Sequence, residues 1–249
     1  MIISSKAIVL NKRNFGDTSL ICSLFTSEQG KVSIIAKGAR TKKNPHSAIL
    51  QPLNYIDLVY YYKNKRNIQT LKEASLITNH LDLDCSYENF LYALTVVDII
   101  NSINLEDNPC DIIFRLTLQS IKKINKCDLQ DITIYYVFFQ LQLLIYLGYQ
   151  PNWLNCYSCS NKITCGFFDN KTCHILCANC KQNQCVKLNP DILSVFQFIS
   201  TTHIDIIVKK NQYNQILYSE INSMLYKFIK LYLPQIKSCK TFHQVHLYE

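Results

Sequence analysis

The stretch SLICSLFTSEQGKVSIIA (residues 19–36) shows how the fold of this 249-residue chain begins. Its first eight and last six residues are apolar and rich in β-branched side chains, which is typical of short strands. Gln29 and Gly30 separate the two runs, and a polar residue followed by glycine is typical of a hairpin turn. The stretch therefore predicts two neighbouring strands joined by a tight turn.

Strand signals continue on both sides of this hairpin. Upstream, residues 7–10 (AIVL) are β-branched, and residues 14–17 (NFGD) form a turn signal. Downstream, residues 54–62 carry apolar side chains in alternation, and residues 68–76 follow a polar turn at residues 63–67. Five short strands separated by turn signals predict a small β-barrel.

The pattern becomes helical from about residue 86. Apolar side chains recur there at a spacing near 3.6 residues. The helices are expected at residues 88–104, 111–125, 128–147, 191–200 and 213–233. The third of these is apolar on several faces, which indicates a central buried helix. The predicted fold class is α+β, with a barrel first and helices after it.

Two Cys-x-x-Cys pairs, Cys156 with Cys159 and Cys177 with Cys180, interrupt the helical part. Each pair places two sulfurs on one tight turn, and the 17 residues between the pairs can fold back to bring all four together. Four thiolates form a closed tetrahedral shell, so the pattern predicts a structural zinc ion rather than a catalytic one. Four reduced thiols without metal and an iron–sulfur cluster are the alternatives.

Basic residues are concentrated at the start of the chain. Residues 1–80 contain 12 Lys and Arg against 4 Asp and Glu, whereas residues 81–249 contain 14 of each class. The whole formal net charge of +8 therefore belongs to the first third. Such an excess indicates a polyanionic partner, nucleic acid being the commonest, although a solvated basic face gives the same count.

Short motifs along the whole chain resemble those of one protein family. The segments are FT (25–26), GK (30–31), IAKGAR (35–40), QPL (51–53), LGY (147–149) with Pro151, and IKS (236–238). Together with the cysteine pairs they resemble the RecO family of bacterial recombination mediators and DNA repair proteins. The stretch from residue 25 to residue 40 is the most specific part of this resemblance.

The resemblance implies an N-terminal five-stranded OB-fold barrel at residues 1–80 and a helical domain at residues 81–249. A zinc module is inserted at residues 153–186. It implies binding to single- and double-stranded DNA and annealing of complementary strands, without catalytic turnover. It also implies partnership with RecR and with the C-terminal tail of the single-stranded-DNA-binding protein, so that RecA replaces that protein on DNA.

One segment departs from the family pattern. The family often has two glycines just before the second cysteine pair, whereas Cys173 and His174 stand there in this chain. With Cys165 and Cys185 they are surplus potential ligands, so the exact ligand set stays open at this point.

Two clusters of cations are candidate phosphate contacts. They are Lys37, Arg40, Lys42 and Lys43 after the third strand, and Lys63, Lys65 and Arg66 between the fourth and fifth strands, with Lys12 and Arg13 as further candidates. Contacts between such side chains and phosphates release counterions. In OB-folds the first connection usually contains some helix, and the second often helps to hold an oligonucleotide. Flexible basic loops without a ligand are the alternative.

The tyrosines of the fourth strand, Tyr55, Tyr60, Tyr61 and Tyr62, are candidates for stacking on unpaired bases. Alternation places Tyr60 and Tyr62 on one face and Tyr61 on the other. We therefore expect most of these side chains to belong to the core.

Three cations lie along one predicted helix, at Arg115, Lys122 and Lys123. They are candidates for binding the acidic tail of the partner protein, which ends in a carboxylate. Plain packing of the helical domain is the alternative.

No motif for catalysis is present. The sequence contains neither a GxxxxGK[ST] phosphate loop nor a GxSxG elbow, so we predict a protein that is not an enzyme. It begins without a signal-peptide layout, and its most apolar stretch is too short to span a bilayer, so we expect a soluble cytoplasmic, nucleoid-associated protein. The alternatives are a metal-stabilised adaptor for RNA or an acidic protein, and a nuclease or nucleotidyl enzyme.

Overall fold

The computed structural model describes residues 1–79, 86–105, 110–149 and 151–246. By the packing of Cα atoms the chain forms two compact units. The first contains Met1–Lys126 with Ser238–Phe242, and the second contains Cys127–Lys237 with the chain from His243. The predicted domain boundary at residues 80 and 81 lies outside the described residues, so it stays a prediction.

The first unit begins with a closed barrel of five strands. They are β1 (Ile2–Phe15), β2 (Ser19–Thr26), β3 (Gly30–Ala36), β4 (Tyr55–Tyr61) and β5 (Ile68–Thr78). The order around the barrel is β1-β2-β3-β5-β4, and β4 pairs with β1 to close it. Neighbours are antiparallel except β3 and β5, which are parallel. The predicted five-stranded barrel is confirmed.

Closure depends on β1, which is long enough to have two partners. Its first half pairs with β4 and its second half with β2. The register with β2 shifts between Val9 and Asn11, an irregularity of the kind that bends a strand and increases its twist. One bent strand therefore joins both edges of the sheet.

Alternating side chains fill the barrel. The buried cluster consists of Ala7, Val9, Leu20, Cys22, Leu24, Ile34, Ala36, Ala39, Leu50, Ile56, Leu58, Tyr60 and Ala74. Tyr62 packs against this cluster, whereas Tyr61 is 45% exposed. The expected division of Tyr60, Tyr61 and Tyr62 between an inner and an outer face is thus confirmed.

The connection between β3 and β4 contains the short helix α1 (His46–Ile49), as expected. Asn54 holds its end, because its Nδ2 donates to the carbonyl oxygens of Ala48 at 3.2 Å and Ile49 at 2.9 Å. Near the start of the connection Gly38 has φ +65°, in the left-handed region that favours glycine. The connection is therefore held at defined points.

Two helices, α2 (Tyr87–Ser102) and α3 (Asp111–Ile124), belong to the barrel's unit. Lys31 Nζ donates to the carbonyl oxygens of Asn101 and Ile103, each at 2.7 Å, and so satisfies the C-terminus of α2. The ring of Phe25 on β2 lies 5.6 Å from that of Phe114 on α3. Phe25 and Lys31, on either side of the turn between β2 and β3, thus attach both helices to the barrel.

The second unit combines helices with a small sheet. Its elements are α4 (Ile132–Tyr146), β6 (Phe167–Asp169), β7 (His174–Leu176), β8 (Val186–Lys187), α5 (Ile192–Thr201) and α6 (Gln215–Tyr232). Every residue of α4 from Ile132 to Leu141 is buried, which confirms the central buried helix. The three strands of the sheet lie between residues 167 and 187. We call residues 153–186 the cysteine module.

Short helical segments complete the described chain. They are 3₁₀ turns at Leu129–Asp131 and Pro234–Ser238 and the helix α7 (Lys240–Gln244). Among the residues that the structure describes, no helix combines the length and the apolar character needed to cross a lipid bilayer.

Candidate metal centre and nucleic-acid surfaces

Four cysteine sulfurs meet in the cysteine module. The sulfur atoms of Cys156, Cys159, Cys177 and Cys180 all lie within 4.8 Å of one another. Those of Cys159 and Cys177 are 3.8 Å apart. Four sulfurs at about 2.3 Å from one tetrahedral zinc ion lie about 3.8 Å from each other, so the cluster has the dimensions of a four-cysteine metal site.

The small sheet brings the two cysteine turns together. Strand β7 leads directly into Cys177, and the backbone N–H of Tyr157 donates to the carbonyl of Ile175 on β7 at 3.0 Å. The first turn is closed by a hydrogen bond from Ser160 N to Cys156 O at 2.8 Å, and the second by one from Lys181 N to Cys177 O at 3.0 Å. Backbone geometry therefore sets the positions of the sulfurs.

Backbone N–H groups favour the thiolate of Cys156. Burial by itself raises the pKa of this thiol, but hydrogen bonds from the N–H groups of Cys159, Cys177 and Ser158 outweigh burial and lower the pKa to about 6. Hydrogen bonding to the sulfur of Cys177, and to a smaller extent to that of Cys159, raises the pKa of Cys180 to about 12. Four thiolates at these distances repel one another, so they do not all form unless a bound cation neutralises their charge. The donor set fits a metal ion.

The four surplus candidates lie outside this cluster among the described residues. Cys173 has φ +55°, in the left-handed region that favours glycine. His174 Nε2 lies 2.9 Å from Tyr232 Oη, and Cys185 Sγ accepts a hydrogen bond from Gln182 N at 3.4 Å. Cys165 is partly buried.

Trp153, which the sequence did not single out, joins the cysteine module to the helices of its unit. It is completely buried, and its ring centroid lies 5.0 Å from Phe196 on α5, 6.2 Å from Phe228 on α6 and 6.3 Å from Phe168 on β6. Its Nε1 donates to the carbonyl of Cys173 at 3.3 Å. The sequence feature that could have drawn attention to Trp153 is that it is the only tryptophan in the chain.

The first cationic loop is on the surface of the barrel's unit. Lys37, Arg40, Lys42 and Lys43 are all exposed. Arg40 is the best fixed, because its backbone N donates to Thr18 O at 2.8 Å and its Nη1 donates to Gly16 O at 3.2 Å. None of the four forms an ion pair with a carboxylate of the described chain. Their charges are therefore available to a bound anion.

The second cationic loop, which carries Lys63, Lys65 and Arg66, is also exposed. Gln69 braces it, since its side chain accepts from Lys63 N at 2.9 Å and donates to the carbonyl oxygens of Lys63 at 3.2 Å and Arg66 at 2.7 Å. The structure brings Arg66 together with Arg13 at a groove of about 520 Å³. Lys63 and Lys65 do not line this groove.

The three candidates on α3 do not converge. Arg115 Nη2 forms an ion pair with Asp111 Oδ2 at 2.8 Å, one turn earlier. Lys122 lines a pocket of about 200 Å³ with Tyr55 and Leu118, whereas Lys123 is half-buried and does not line it. Successive residues on a helix point in directions about 100° apart, so neighbouring lysines reach different surroundings.

Both parts of the chain match models of known protein families. Residues 1–80 match the model described as recombination protein O, N terminal, and residues 86–239 match the one described as recombination protein O, C terminal. The chain belongs to the RecO family. The predicted family is therefore confirmed, and with it the prediction of a protein that is not an enzyme.

Individual relatives agree with this assignment. The DNA repair protein RecO of Salinibacter ruber is 33% identical over 150 residues, which cover 60% of this chain and 57% of that protein. The RecO protein of Caldicellulosiruptor saccharolyticus is 27% identical over 236 residues, 94% of each chain. That of Alkaliphilus metalliredigens is 25% identical over 239 residues, 95% of this chain and 96% of the relative. The first match spans little more than half of its relative, whereas the other two run almost from end to end.

Proposed function

We propose that this RecO-family chain is a recombination mediator in DNA repair that binds single- and double-stranded DNA and anneals complementary strands without a chemical fuel. The observation that carries the proposal is the pair of exposed cationic loops on one closed barrel, at residues 37–43 and 63–66. Both loops are fixed by backbone and side-chain hydrogen bonds. A fixed array of cations loses less conformational freedom on binding than a flexible basic tail does.

Phosphate neutralisation accounts for both binding and annealing. Each Lys or Arg that contacts a phosphate releases condensed counterions, which favours binding of any sequence. Two single strands repel each other through their phosphates, and the cations of the barrel lower this repulsion. Complementary bases then pair without an external energy source.

The metal that we propose for the four-cysteine cluster is Zn²⁺. Cys156, Cys159, Cys177 and Cys180 supply four thiolates, which leave no open position for a substrate. When bound, such an ion supplies folding free energy to the cysteine module rather than chemistry. The role of the four cysteines is then to hold the module together.

The partners that we propose follow from the family. They are RecR, the C-terminal tail of the single-stranded-DNA-binding protein and, indirectly, RecA, which is loaded onto strands coated by that protein. Arg115, Lys122 and Lys123 remain the candidates for the acidic tail, and Lys122 is the best placed because it lines a pocket together with Tyr55 and Leu118. The proposed place of action is the bacterial cytoplasm, at the nucleoid.

A strand-annealing assay tests this function directly. Two complementary labelled oligonucleotides are mixed at low salt without ATP, with and without the protein, and duplex formation is followed with time. We expect the protein to accelerate annealing, also when the single-stranded-DNA-binding protein coats the strands. Annealing no faster than in the protein-free control contradicts the proposal. Tighter binding to RNA without DNA annealing favours the adaptor instead, and magnesium-dependent cleavage favours an enzyme.

A further inference from the structure

Tyr157, between the two cysteines of the first turn, presents its ring to solvent. The residue is 59% exposed, although it lies between two of the four clustered cysteines. Its ring stacks on the imidazole of His174, with ring centroids 3.9 Å apart and planes inclined by 10°. Because His174 covers one face of the ring, the exposed surface includes the opposite face.

The support behind Tyr157 is rigid. His174 is only 9% exposed, and its Nε2 lies within hydrogen-bond distance of Tyr232 Oη, at 2.9 Å. The ring of Phe228 lies 5.8 Å from the same imidazole and is inclined to it by 80°. The backbone N–H of Tyr157 is bound to Ile175 O. A ring fixed in this way loses little conformational entropy when a flat ligand stacks on it.

The aromatic surface extends beyond one ring. Tyr232 lies 6.0 Å from His174 and 6.3 Å from Tyr149, which is itself 41% exposed. We call Tyr157, His174, Tyr232 and Tyr149 the aromatic row. Two of its four members are exposed tyrosines, whose rings combine an apolar face with a polar hydroxyl and therefore tolerate water.

The surroundings of the aromatic row are basic. The turn between β6 and β7 carries the exposed Lys171, and Lys227 Nζ donates to Asn170 Oδ1 of the same turn at 2.8 Å. The nearby carboxylate of Asp169 is buried and accepts from Lys171 N at 3.0 Å and Thr172 Oγ1 at 2.9 Å. Within the second unit, residues 151–237 contain nine lysines and four carboxylate side chains. The row thus suits a ligand that is both flat and anionic.

We propose that Tyr157 is a stacking platform for an unpaired base of single-stranded DNA, with Tyr149 as the second exposed ring of the same surface and with Lys171 and Lys227 as phosphate contacts. Every base has a π-face, so stacking on an aromatic ring holds single strands without sequence preference. Bases within a duplex are already stacked and are not accessible to the ring. The surface therefore discriminates single strands from duplex, which the cationic loops of the barrel do not. This inference rests on the proposed DNA binding.

The test uses the whole 249-residue chain with its metal as purified. Fluorescence anisotropy with a labelled oligothymidine and with a labelled duplex compares wild type, Tyr157→Ala, Tyr157→Phe and Tyr87→Ala. Tyr87 is the matched control, being 62% exposed at the start of α2. We expect Tyr157→Ala to weaken single-strand binding about 5- to 150-fold, the range for one lost base stack. Tyr157→Phe keeps the ring and most of the affinity. Duplex affinity and the salt dependence of binding stay at wild-type values.

A second readout reports the stack itself. An oligonucleotide that contains 2-aminopurine should lose fluorescence on binding to wild type and to Tyr157→Phe, and not on binding to Tyr157→Leu, which keeps apolar bulk against His174. Metal content and thermal unfolding of each variant check the module. Equal single-strand binding by Tyr157→Ala and wild type, or equal losses for single strands and duplex, overturns the inference alone. Absence of DNA binding by wild type overturns the proposed function as well.

Discussion

The barrel and the cysteine module are both built on β-strands, but different interactions hold them together. The barrel closes five strands of seven to fourteen residues around a buried apolar cluster. The sheet of the cysteine module has strands of two or three residues and four sulfurs within 4.8 Å. Strands so short bury too little apolar surface to be stable alone. The barrel is therefore expected to fold without a metal and the module is not.

The largest expected effect comes from removing one metal ligand. We expect Cys177→Ser to reduce bound zinc from one equivalent per chain to well below it, because three thiolates and a hydroxyl hold the ion far less tightly. Structural zinc supplies about 10–16 kcal/mol in isolated zinc-finger peptides, so the module should open locally. Metal analysis and amide hydrogen exchange measure the two effects.

Cys185→Ser is the matched control for this experiment. Cys185 lies at the end of the cysteine module but outside the cluster, so its replacement should leave one equivalent of zinc. Amide protection in the barrel strands should be the same in both variants. Protection lost equally in the barrel and in the module of Cys177→Ser contradicts the contrast drawn between the two regions.

The converse experiment removes apolar volume from the barrel. Leu24 is completely buried in its core cluster, and Leu24→Ala should lower the free energy of unfolding of the first unit by about 2–5 kcal/mol through lost burial and the cavity left behind. Zinc content should stay at one equivalent. Amide hydrogen exchange of the β2 residues, followed as the urea concentration is raised, measures this loss of stability. Leu76→Ala is the control, since Leu76 is 46% exposed and its loss should cost little.

Features that depend on local spacing were predictable from the sequence. β-Branched runs in residues 19–36 and alternation along residues 54–62 predicted the strands. Alternation also placed Tyr60 and Tyr62 on one face and Tyr61 on the other, because side chains of a strand point to opposite faces in turn. The spacing of the two cysteine pairs predicted the cluster, because each tight turn fixes two ligands by itself. The family resemblance added the expectation that the barrel is of the OB type.

Features that depend on distant partners were not predictable in this way. Lys31 lies in a family motif, but its contact with the end of α2 joins residues 70 positions apart. Trp153 gains its role only when β6, α5 and α6 meet around it. The left-handed backbone of Cys173 has no signal in a single sequence.

The second unit also buries polar side chains, which makes its stability depend on pH. His246 packs against the ring of Tyr226 at 4.3 Å, and burial, with a smaller effect of His243, lowers its pKa to about 3. In the unfolded chain its pKa is about 6.5, so between pH 6.5 and 3 the unfolded state binds more protons. Stability is therefore complete above pH 6.5 and is lost as the pH falls.

At pH 5 this histidine alone should lower the free energy of unfolding of the second unit by about 2 kcal/mol relative to pH 7.5. His246→Gln should remove that part of the pH dependence, because glutamine does not titrate. Urea midpoints of wild type and variant at both pH values measure it. His203→Gln is the control, since the His203 side chain is 64% exposed. Parallel pH profiles for wild type and His246→Gln contradict the assignment.

The smallest effect on stability is expected where the effect on function is large. Replacing Arg40, Lys42 and Lys43 by Ala removes three exposed cations, and surface changes of this kind alter the free energy of unfolding by less than about 0.5 kcal/mol each. If each cation contacts one phosphate, the slope of log K against log salt flattens by about 2 for single strands and about 3 for duplex. Alanines at the exposed Lys209, Lys210 and Lys237 of the second unit are the charge-matched control. Equal flattening by both triple variants means that net charge alone binds DNA, whereas flattening by the barrel variant alone means that the fixed loop does. In that second case the barrel's apolar core and its cations are separable, since one determines folding and the other determines binding.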